Sequence, residues 1–406
     1  MTPGQIARWR GVRIAHLIES DGPGGAERML ASVAAELQAA GSENVVIAPA
    51  GGEGWLAREL SGTGVQVELC SLDRPFSRAF ASWLADTFRR HRVMLAHSHE
   101  FTMAVCGAWA AHRAGIPHLF TLHGSRYYAG RLRRRVALRL ATLLSGSVVT
   151  VSQTLRRHLS QDLWIPASRI VTIPNGVRPA PPVESSLRDE LRLGSADQLV
   201  VAVGNLYPVK GHGYLLEALA LLATRYPRLH VAVAGRGELE DRLRARAQAR
   251  QVGDRFHLLG LRSDIGNVLA GADVFVLPSL SEGVPLALLE AMLAQRPIVA
   301  AAVGEVPTVL DGGRAGVLVP PGDAAALASA LAGVLDDRSQ ARRLSAAAEA
   351  RATKEYTLTS MMDRYMPLYA KLLGNQPHDR GAEGIRNAQR QPFPDERSPR
   401  KRALVR

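Results

Sequence analysis

The sequence predicts an α/β protein in which two doubly wound parallel sheets form two domains that face a cleft. Short apolar runs alternate with helical segments, a proline-rich stretch interrupts this rhythm near the middle, and 406 residues exceed one ordinary core. Parallel strands buried on both faces read as continuous apolar runs bounded by turn residues, which is the pattern of this chain.

The first predicted domain, Rossmann-like, comprises residues 1–180. Its strands are expected where short apolar runs recur with helical segments between them. Seven such runs occur, at residues 12–18, 44–49, 65–70, 94–99, 118–124, 147–152 and 170–176.

The linker is predicted in the proline-rich stretch 177–186, and the second Rossmann-like domain comprises residues 181–354. Residues 355–373 predict a last helix that packs back toward the first domain, and 374–406 predict a disordered basic tail with little to bury. The six strands of the second domain are expected at residues 199–205, 229–235, 256–260, 274–279, 297–301 and 316–320.

Composition indicates a globular protein, with 47% hydrophobic and 21% charged residues. No apolar run reaches the ~18 residues of a membrane span, and the N-terminus lacks the apolar core of a secretory signal. We therefore expect a cytoplasmic protein, with peripheral attachment to the inner face of the membrane as an open extension. Cys70 and Cys106 lie in apolar surroundings and are expected to be reduced core thiols.

Positive charge is concentrated in the first half of the chain. Residues 1–180 hold 21 basic and 12 acidic groups, whereas residues 181–373 hold 21 of each. Six arginines fall between Arg126 and Arg139 with apolar residues interleaved. This segment is typical of an anionic membrane contact or a site for a phosphate-bearing substrate, and a solvated helix face remains equally open. Without a recognition motif beside the charge, no nucleic-acid partner is expected.

Two carboxylates bracket the stretch "EGVPLALLE", Glu282 and Glu290. The apolar run before them predicts a strand, and Pro285 suits the first turn of a helix, so Glu282 is placed in the loop and Glu290 on the helix. Acids at the carboxyl end of such a strand face the ligand crevice of a doubly wound sheet. The alternative is that Glu282 caps the helix and Glu290 is one polar position on its surface.

Glycine-rich turns follow the first strands of both domains. Gly24 and Gly25 precede a helix, whose free N–H groups can approach an anion, although a turn without ligand uses similar residues. Lys210 follows the first strand of the second domain, in a domain whose other basic residues are nearly all arginine. The next strand is followed by "AGRG", where Gly235 and Gly237 form another strand-end turn.

Histidines fall at two strand ends of the first domain. His97 and His99 form an H-x-H pair that could begin a metal site, but they share one strand face and no acidic or cysteine ligand motif accompanies them. Core packing is favoured and no metal site is predicted. His123 lies at the mouth of its strand, facing the crevice.

The order of these motifs resembles the retaining glycosyltransferases of family 4, which have the GT-B fold. It runs "GPGGAER", "HSH", "TLHG", "IPNGV", "VGNLYPVKG", "AGRG" and "SEGVPLALLEAM", across nearly all of residues 12–373. The E-x7-E element is its most specific mark. The resemblance implies a nucleotide-sugar donor in the cleft, held mainly by the second domain.

The resemblance also implies a role for each residue at the donor. Glu290 would accept hydrogen bonds from the ribose hydroxyls. Glu282, with Gly283 beside it, would contact the transferred sugar. Lys210 would neutralise the departing diphosphate, and Asn205 would lie beside it.

From the first domain, the resemblance implies that Gly24 and Gly25 offer N–H groups to the phosphate and that His123 touches the donor sugar. A phosphate oxygen would accept the proton of the acceptor. No cofactor or metal is expected, because cations and helix dipoles stabilise the leaving group.

Asn205 departs from the family pattern, in which many members have arginine. Arginine would bind the diphosphate bidentately, whereas asparagine donates only neutral hydrogen bonds. The phosphate site is therefore expected to depend more on Lys210, with Arg236 as a second cation.

The function implied is transfer of a sugar from a nucleotide-sugar, UDP-linked as the first guess, to a glycan or polyprenyl-diphosphate-linked acceptor in bacterial cell-envelope or exopolysaccharide synthesis. Two alternatives remain open: a nucleotide-sugar epimerase of the same fold, and a non-catalytic module that binds sugar nucleotides or anionic lipids.

Overall fold

The computed structural model describes residues 9–72, 77–124, 130–181 and 183–374, and it contains two parallel sheets covered by helices. The predicted fold class is confirmed. Every predicted apolar run carries one strand. The strands of the first sheet are β1 Arg13–Leu17, β2 Glu43–Pro49, β3 Gln66–Cys70, β4 Leu95–His99, β5 His118–Leu122, β6 Ser147–Thr150 and β7 Ile170–Thr172. Those of the second are β8 Gln198–Val203, β9 Leu229–Ala234, β10 Phe256–Leu258, β11 Val274–Leu277, β12 Ile298–Ala301 and β13 Val317–Val319.

Strand order gives each sheet one switch point. The first sheet runs β3-β2-β1-β4-β5-β6-β7 and the second β10-β9-β8-β11-β12-β13, with parallel pairing throughout both orders. The order reverses beside β1 in one sheet and beside β8 in the other. Ligands of doubly wound sheets bind outside the carboxyl ends of the strands at this reversal.

The helices pack on both faces of each sheet. Side-chain caps begin several of them: Ser152 accepts a hydrogen bond from the Leu155 N–H, and Asp323 accepts one from Ala326. In the first half of the chain the helices are α1 Gly25–Ala39, α2 Trp55–Glu59, α3 Arg78–Arg90, α4 Glu100–Ala114, α5 Leu132–Leu144 and α6 Gln153–Asp162. They continue as α7 Leu187–Glu190, α8 His212–Leu222, α9 Glu240–Ala249, α10 Ile265–Ala270, α11 Leu286–Leu293, α12 Val306–Val309, α13 Ala324–Asp336, α14 Arg338–Glu355 and α15 Leu358–Gly374.

The last helix, α15, packs on the first sheet although it follows the second in sequence. Tyr365 and Tyr369 are fully buried there, in the same apolar cluster as Ile14 and Leu95. The Tyr369 hydroxyl is hydrogen-bonded to His97 Nδ1 at 2.7 Å. Helix α15 thus completes the core of the first domain.

The chain passes between the two domains twice, near Val177 and near Thr357, and these two passages lie side by side. Val177 pairs with Thr357 in a parallel bridge. Gly176 is needed at this contact, since a Cβ there would come within 2.3 Å of the Thr357 carbonyl oxygen. The predicted domain bounds at 180 and 354 fall close to these crossings and stay predictions.

Several other sequence predictions can be compared with the structure. Cys70 and Cys106 are both buried, as expected of core residues. The predicted tail, apart from Gly374, lies outside the described residues, as does Arg126. Among the helices that the structure describes, none combines the length and apolar character needed to cross a membrane.

Candidate active site

A cavity of about 280 Å³ lies between the two domains, at the carboxyl ends of the central strands. It is lined from the first domain by the loops after β1 and β5, and from the second by the loops after β8 and β11. Eight of the nine residues predicted for the site line it: Gly24, Gly25, His123, Asn205, Lys210, Glu282, Gly283 and Glu290.

Lys210 and Glu282 form an ion pair within this cavity. Lys210 Nζ donates a hydrogen bond to Glu282 Oε1 at 2.8 Å. The Ser279 hydroxyl donates to the same oxygen at 2.7 Å. The Glu282 side chain is only 8% exposed, whereas Lys210 is 27% exposed. The pair therefore presents its cation toward the open space and holds its anion in a fixed position.

Backbone contacts fix the two loops that carry this pair. The Leu280 N–H donates to the Val209 carbonyl at 2.8 Å. Gly211 has φ +69°, and a Cβ there would lie 2.0 Å from the Pro278 carbonyl oxygen. Gly304, with φ +52°, packs so closely that a Cβ would lie 1.8 Å from the Glu282 carbonyl oxygen. Only glycine fits both positions.

Glu290 lies on α11 and faces a cation of the opposite domain. Arg28 Nη1 on α1 lies 3.6 Å from Glu290 Oε1. Burial raises the pKa of Glu290, and the nearby Arg28 guanidinium counteracts this rise. The carboxylate is thus partly desolvated and oriented into the cavity.

The glycine-rich loop brings the N-terminus of α1 to the cavity. Gly24 is the N-cap residue of this helix, and Gly25 is its first residue. A Cβ on Gly25 would lie 3.9 Å from Leu286 of the second domain. The first turn of α1 therefore faces the interdomain space, and the Glu27 carboxylate of this turn lies against Gly24.

His123 lies on the first-domain side of the cavity. The second domain approaches closely here, since a Cβ on Gly283 would lie 3.1 Å from the His123 carbonyl oxygen. His123 Nε2 is 3.4 Å from His99 Nδ1. Burial lowers the pKa of His123 to about 4, so the ring is neutral at physiological pH.

Arg236 is the predicted site residue that does not line the cavity. Its guanidinium forms an ion pair with Glu53 of the first domain. Asn205 does line the cavity, directly after Gly204. Placed in this way, Arg236 bridges the domains at the rim, and its contribution to the phosphate site stays a prediction.

Sequence reasoning missed three residues that reach across the domain boundary. Arg28 lines the cavity. Asn175 Nδ2 donates to the Val284 carbonyl at 2.9 Å, and Glu305 Oε1 accepts from the Thr154 N–H at 2.7 Å. Arg28 and Asn175 belong to the quoted motifs "GGAER" and "IPNG", but the motifs alone do not show which opposite surface each side chain meets.

The histidine pair of β4 lies in the core beneath the cavity. His16, His97 and His99 place ring nitrogens within 4.8 Å of one another. Both His97 nitrogens are hydrogen-bonded, to Tyr369 and Thr121, and burial lowers the pKa of all three rings. This arrangement fits the core packing that the sequence favours. That the protein requires no metal stays a prediction.

Comparison with known proteins decides the family. The profile described as "Glycosyltransferase Family 4" matches residues 23–180, and "Glycosyl transferases group 1" matches residues 183–351. A phosphatidyl-myo-inositol mannosyltransferase of Mycolicibacterium smegmatis is 30% identical over 347 residues, which cover 78% of this chain and 82% of the relative. The chain belongs to glycosyltransferase family 4.

Other relatives of this glycosyltransferase add detail. An Escherichia coli enzyme named UDP-Gal:alpha-D-GlcNAc-diphosphoundecaprenol alpha-1,3-galactosyltransferase is 29% identical, covering 62% of this chain and 68% of that enzyme. Anabaena HepE, solved in complex with UDP-glucose, superposes with a TM-score of 0.78 at 23% identity, covering 88% of this chain and 99% of HepE. The latter likeness shows the shared two-domain GT-B fold.

Proposed function

We propose that this glycosyltransferase moves a sugar from a UDP-sugar to a glycan or polyprenyl-diphosphate-linked acceptor, with retention of the anomeric configuration, at the cytoplasmic face of a bacterial membrane. Its role would be in cell-envelope or exopolysaccharide synthesis. The observation that carries the proposal is the Lys210–Glu282 ion pair beside Glu290 in a cavity between two domains.

The donor would span the cavity from Glu290 to His123. Glu290, partly desolvated, is suited to accept hydrogen bonds from two ribose hydroxyls. Lys210 and the N-terminus of α1 would meet the diphosphate from opposite domains. The sugar would then lie against Glu282 and His123, whose neutral ring can donate or accept a hydrogen bond.

In the transfer step, the bond between the anomeric carbon and the diphosphate oxygen breaks, and the acceptor oxygen bonds to the same face of that carbon. The acceptor proton passes to the departing phosphate oxygen. Negative charge develops on the diphosphate, so a preorganised ammonium and helix N-terminus lower the barrier. In this scheme Lys210 supplies the charge without a metal.

The names of the relatives support a UDP donor and a lipid-borne acceptor. The E. coli relative is named for UDP-Gal and a diphosphoundecaprenol acceptor, and the mycobacterial relative for phosphatidyl-myo-inositol. Such acceptors lie in membranes, which agrees with the positive charge of the first half of the chain.

Slow donor hydrolysis tests the proposal without knowledge of the acceptor. The protein would be incubated with UDP-glucose, UDP-galactose and GDP-mannose in separate reactions, and the released sugar followed by NMR, which also reports its anomeric form. One UDP-sugar should be hydrolysed with the α-anomer appearing first. Lys210→Ala should lower the hydrolysis rate by about 10²–10³ and Glu282→Ala should also lower it strongly, while the exposed controls Lys354→Ala and Glu59→Ala should retain it.

The other functions give different results. An epimeric nucleotide-sugar as product would establish the epimerase. Binding of a nucleotide-sugar without turnover in any acceptor mixture would establish a binding module. Failure to bind any nucleotide-sugar would overturn the proposal entirely.

A further inference from the structure

Helix α5 exposes an apolar stripe to solvent. Leu132 is 74% exposed, Val136 50%, Leu140 56% and Leu143 62%. At 100° per residue these side chains fall within one sector about 80° wide, because their spacing is four, four and three residues. The opposite side of α5 packs on α4 and buries Leu138 and Ala141. The stripe is therefore a second apolar face that the described fold leaves uncovered.

Arginines flank this stripe on both sides. Arg133 lies about 100° from Leu132 on the helical wheel, and Arg139 about 20° away on the other side. Both are exposed, as is Arg131 at the helix N-cap. The helix sequence LRRRVALRLATLL contains no acidic residue. The result is an apolar strip with a cationic border.

An exposed tryptophan lies close to the same helix. Arg135 of α5 donates a hydrogen bond to the Asp162 carbonyl at the end of α6. Two residues further, Trp164 is 75% exposed and has a positive φ of 56°. Tryptophan is enriched at membrane–water interfaces because its ring is apolar and its N–H is polar.

The positive charge of this surface indicates which kind of partner it binds. A second copy of the chain would bring one arginine border against another, which is repulsive. An anionic bilayer instead offers phosphate groups to the arginines and acyl chains to the leucines. A scattered exposed apolar residue needs no explanation, but three leucines and one valine in one exposed stripe exceed that expectation.

We propose that the outer face of α5, together with Trp164, docks on an anionic lipid bilayer, with Leu132, Val136, Leu140 and Leu143 entering the interface. This proposal names a membrane-contact surface for the proposed function, and the purpose of the docking rests on that function. In the chain, α5 follows β5, and His123 of the cavity directly follows the end of that strand. A lipid-borne acceptor could then reach the cavity from the membrane surface.

Vesicle binding tests this docking directly. The protein would be sedimented with two kinds of vesicle, one of phosphatidylcholine alone and one that also contains about 30% phosphatidylglycerol. This anionic share is comparable with that of natural membranes. Binding should require the anionic lipid and weaken with salt. The double variant Val136→Ser, Leu140→Ser should lower the partition coefficient at least about tenfold. Leu221→Ser, on the exposed face of α8 in the second domain, is the matched control and should bind as wild type.

The arginines and Trp164 give separate readouts. Arg133→Gln with Arg139→Gln should weaken binding and flatten its salt dependence. The fluorescence blue shift on vesicle addition should shrink in Trp164→Phe. Equal binding to neutral vesicles, or unchanged binding of the Val136/Leu140 variant, would overturn the proposal. The proposal would also be overturned if the protein formed a dimer in solution that the Val136→Ser, Leu140→Ser variant dissociates. UDP affinity of the variants, measured by thermal shift, separates the two proposals. If the variants bind UDP but vesicle binding does not behave as expected, only membrane docking fails, whereas loss of UDP binding in the wild type would mean that the proposed function fails.

A second inference rests on Arg28, an independent observation. Its guanidinium lies in the cavity, 3.6 Å from Glu290 and within the first turn of α1. Asn205, which lines the same cavity, is uncharged. A diphosphate at the N-terminus of α1 would therefore meet Arg28 from the first domain.

We propose that Arg28 supplies the diphosphate-binding cation that Asn205 does not. Arrival of the donor would exchange the Glu290 partner of Arg28 for phosphate oxygens and leave Glu290 to the ribose. This inference rests on the proposed nucleotide-sugar donor.

Comparison of UDP with uridine tests the second inference. Arg28→Gln should weaken UDP binding about tenfold to a hundredfold, as expected for charge-assisted hydrogen bonds, and leave uridine binding nearly unchanged. Asn205→Arg in the Arg28→Gln background should restore UDP affinity. Arg113→Gln, an exposed arginine of α4, is the control.

The outcomes separate the two proposals. Unchanged UDP affinity in Arg28→Gln, or equal losses for UDP and uridine, would overturn the role of Arg28. If the wild type itself binds no UDP, the proposed donor fails instead.

Discussion

Lys210 Nζ and Glu282 Oε1 lie 2.8 Å apart in the interdomain cavity, although 72 residues separate them in the chain. Their loops follow β8 and β11, which are neighbours at the switch point of the second sheet. A donor would meet a cation already held in position by its acidic partner. Such preorganisation requires no rearrangement as charge develops on the leaving group.

Removal of the ammonium should slow the chemical step more than it weakens binding. We expect Lys210→Ala to lower kcat by about 10²–10³, because loss of one preorganised group at the developing charge has effects of this size. Steady-state kinetics with the donor identified by hydrolysis measures it. Lys354→Ala should retain wild-type kcat, and a Lys210→Ala variant with unchanged kcat would contradict the assigned role.

Glu290 should determine recognition of the ribose. Glu290→Gln is expected to reduce UDP affinity about tenfold or more, since hydrogen bonds to a charged acceptor contribute about 1.5–3 kcal/mol. The wild type should also prefer UDP over 2′-deoxy-UDP. Isothermal titration with both ligands checks this, and the variant should lose the preference. A preference that survives in Glu290→Gln would place the ribose elsewhere.

Gly211 should be intolerant of any side chain. Gly211→Ala combines a positive φ with a Cβ 2.0 Å from the Pro278 carbonyl, whereas Gly62→Ala has a positive φ of 78° in open space. Positive φ alone costs about 1–2 kcal/mol. Urea unfolding should show a loss of about that size for Gly62→Ala and a larger loss for Gly211→Ala. Equal losses would mean that the contact is unimportant.

Stability should be greatest near pH 6.5. Burial lowers the pKa of His16, His123 and His212 to about 4, so below the unfolded value of 6.5 the unfolded chain binds more protons and stability falls toward pH 4. Burial, with Glu19 and Glu27 nearby, raises the pKa of Glu100 to about 8. The stability that protonated Glu100 contributes is therefore lost as pH rises toward 8. Each group contributes about 1.4 kcal/mol per pH unit within its window.

Denaturant unfolding between pH 5 and 8.5 checks this optimum. Glu100→Gln should remove the decline on the alkaline side. Leu221→Ser, at an exposed position of α8, should leave the shape of the profile unchanged. Stability that is constant between pH 6.5 and 5 would contradict the neutral, buried state of the histidines.

The sheets could be predicted from sequence because each strand is locally marked. The run Val274–Leu277 is fully buried and ends at proline, so its apolar residues and its boundary are both visible in the chain. Helix α15 was also predictable as an element. Its contact between Tyr369 and His97 was not, because a hydrogen bond across 272 residues leaves no local pattern.

The site was predictable wherever one residue follows one strand. Lys210, Glu282 and His123 all follow strand ends, and parallel strands gather such residues at one edge. Arg28 was missed because its partner Glu290 belongs to the other domain. The spacing of residues within one domain does not show how the two domains are placed relative to each other. Arg236 forms an ion pair with Glu53 of the first domain, and its contribution to the phosphate site stays a prediction.

Because α15 completes the core of the first domain, that domain cannot finish folding when only the strands of its own sheet have left the ribosome. The nascent chain must hold the apolar surface around Ile14 and Leu95 open until the second domain has been synthesised and residues 358–374 emerge. Chaperones would therefore be needed most during translation of the second half, and an early stop codon after residue 355 would leave the completed second domain attached to an aggregation-prone partner.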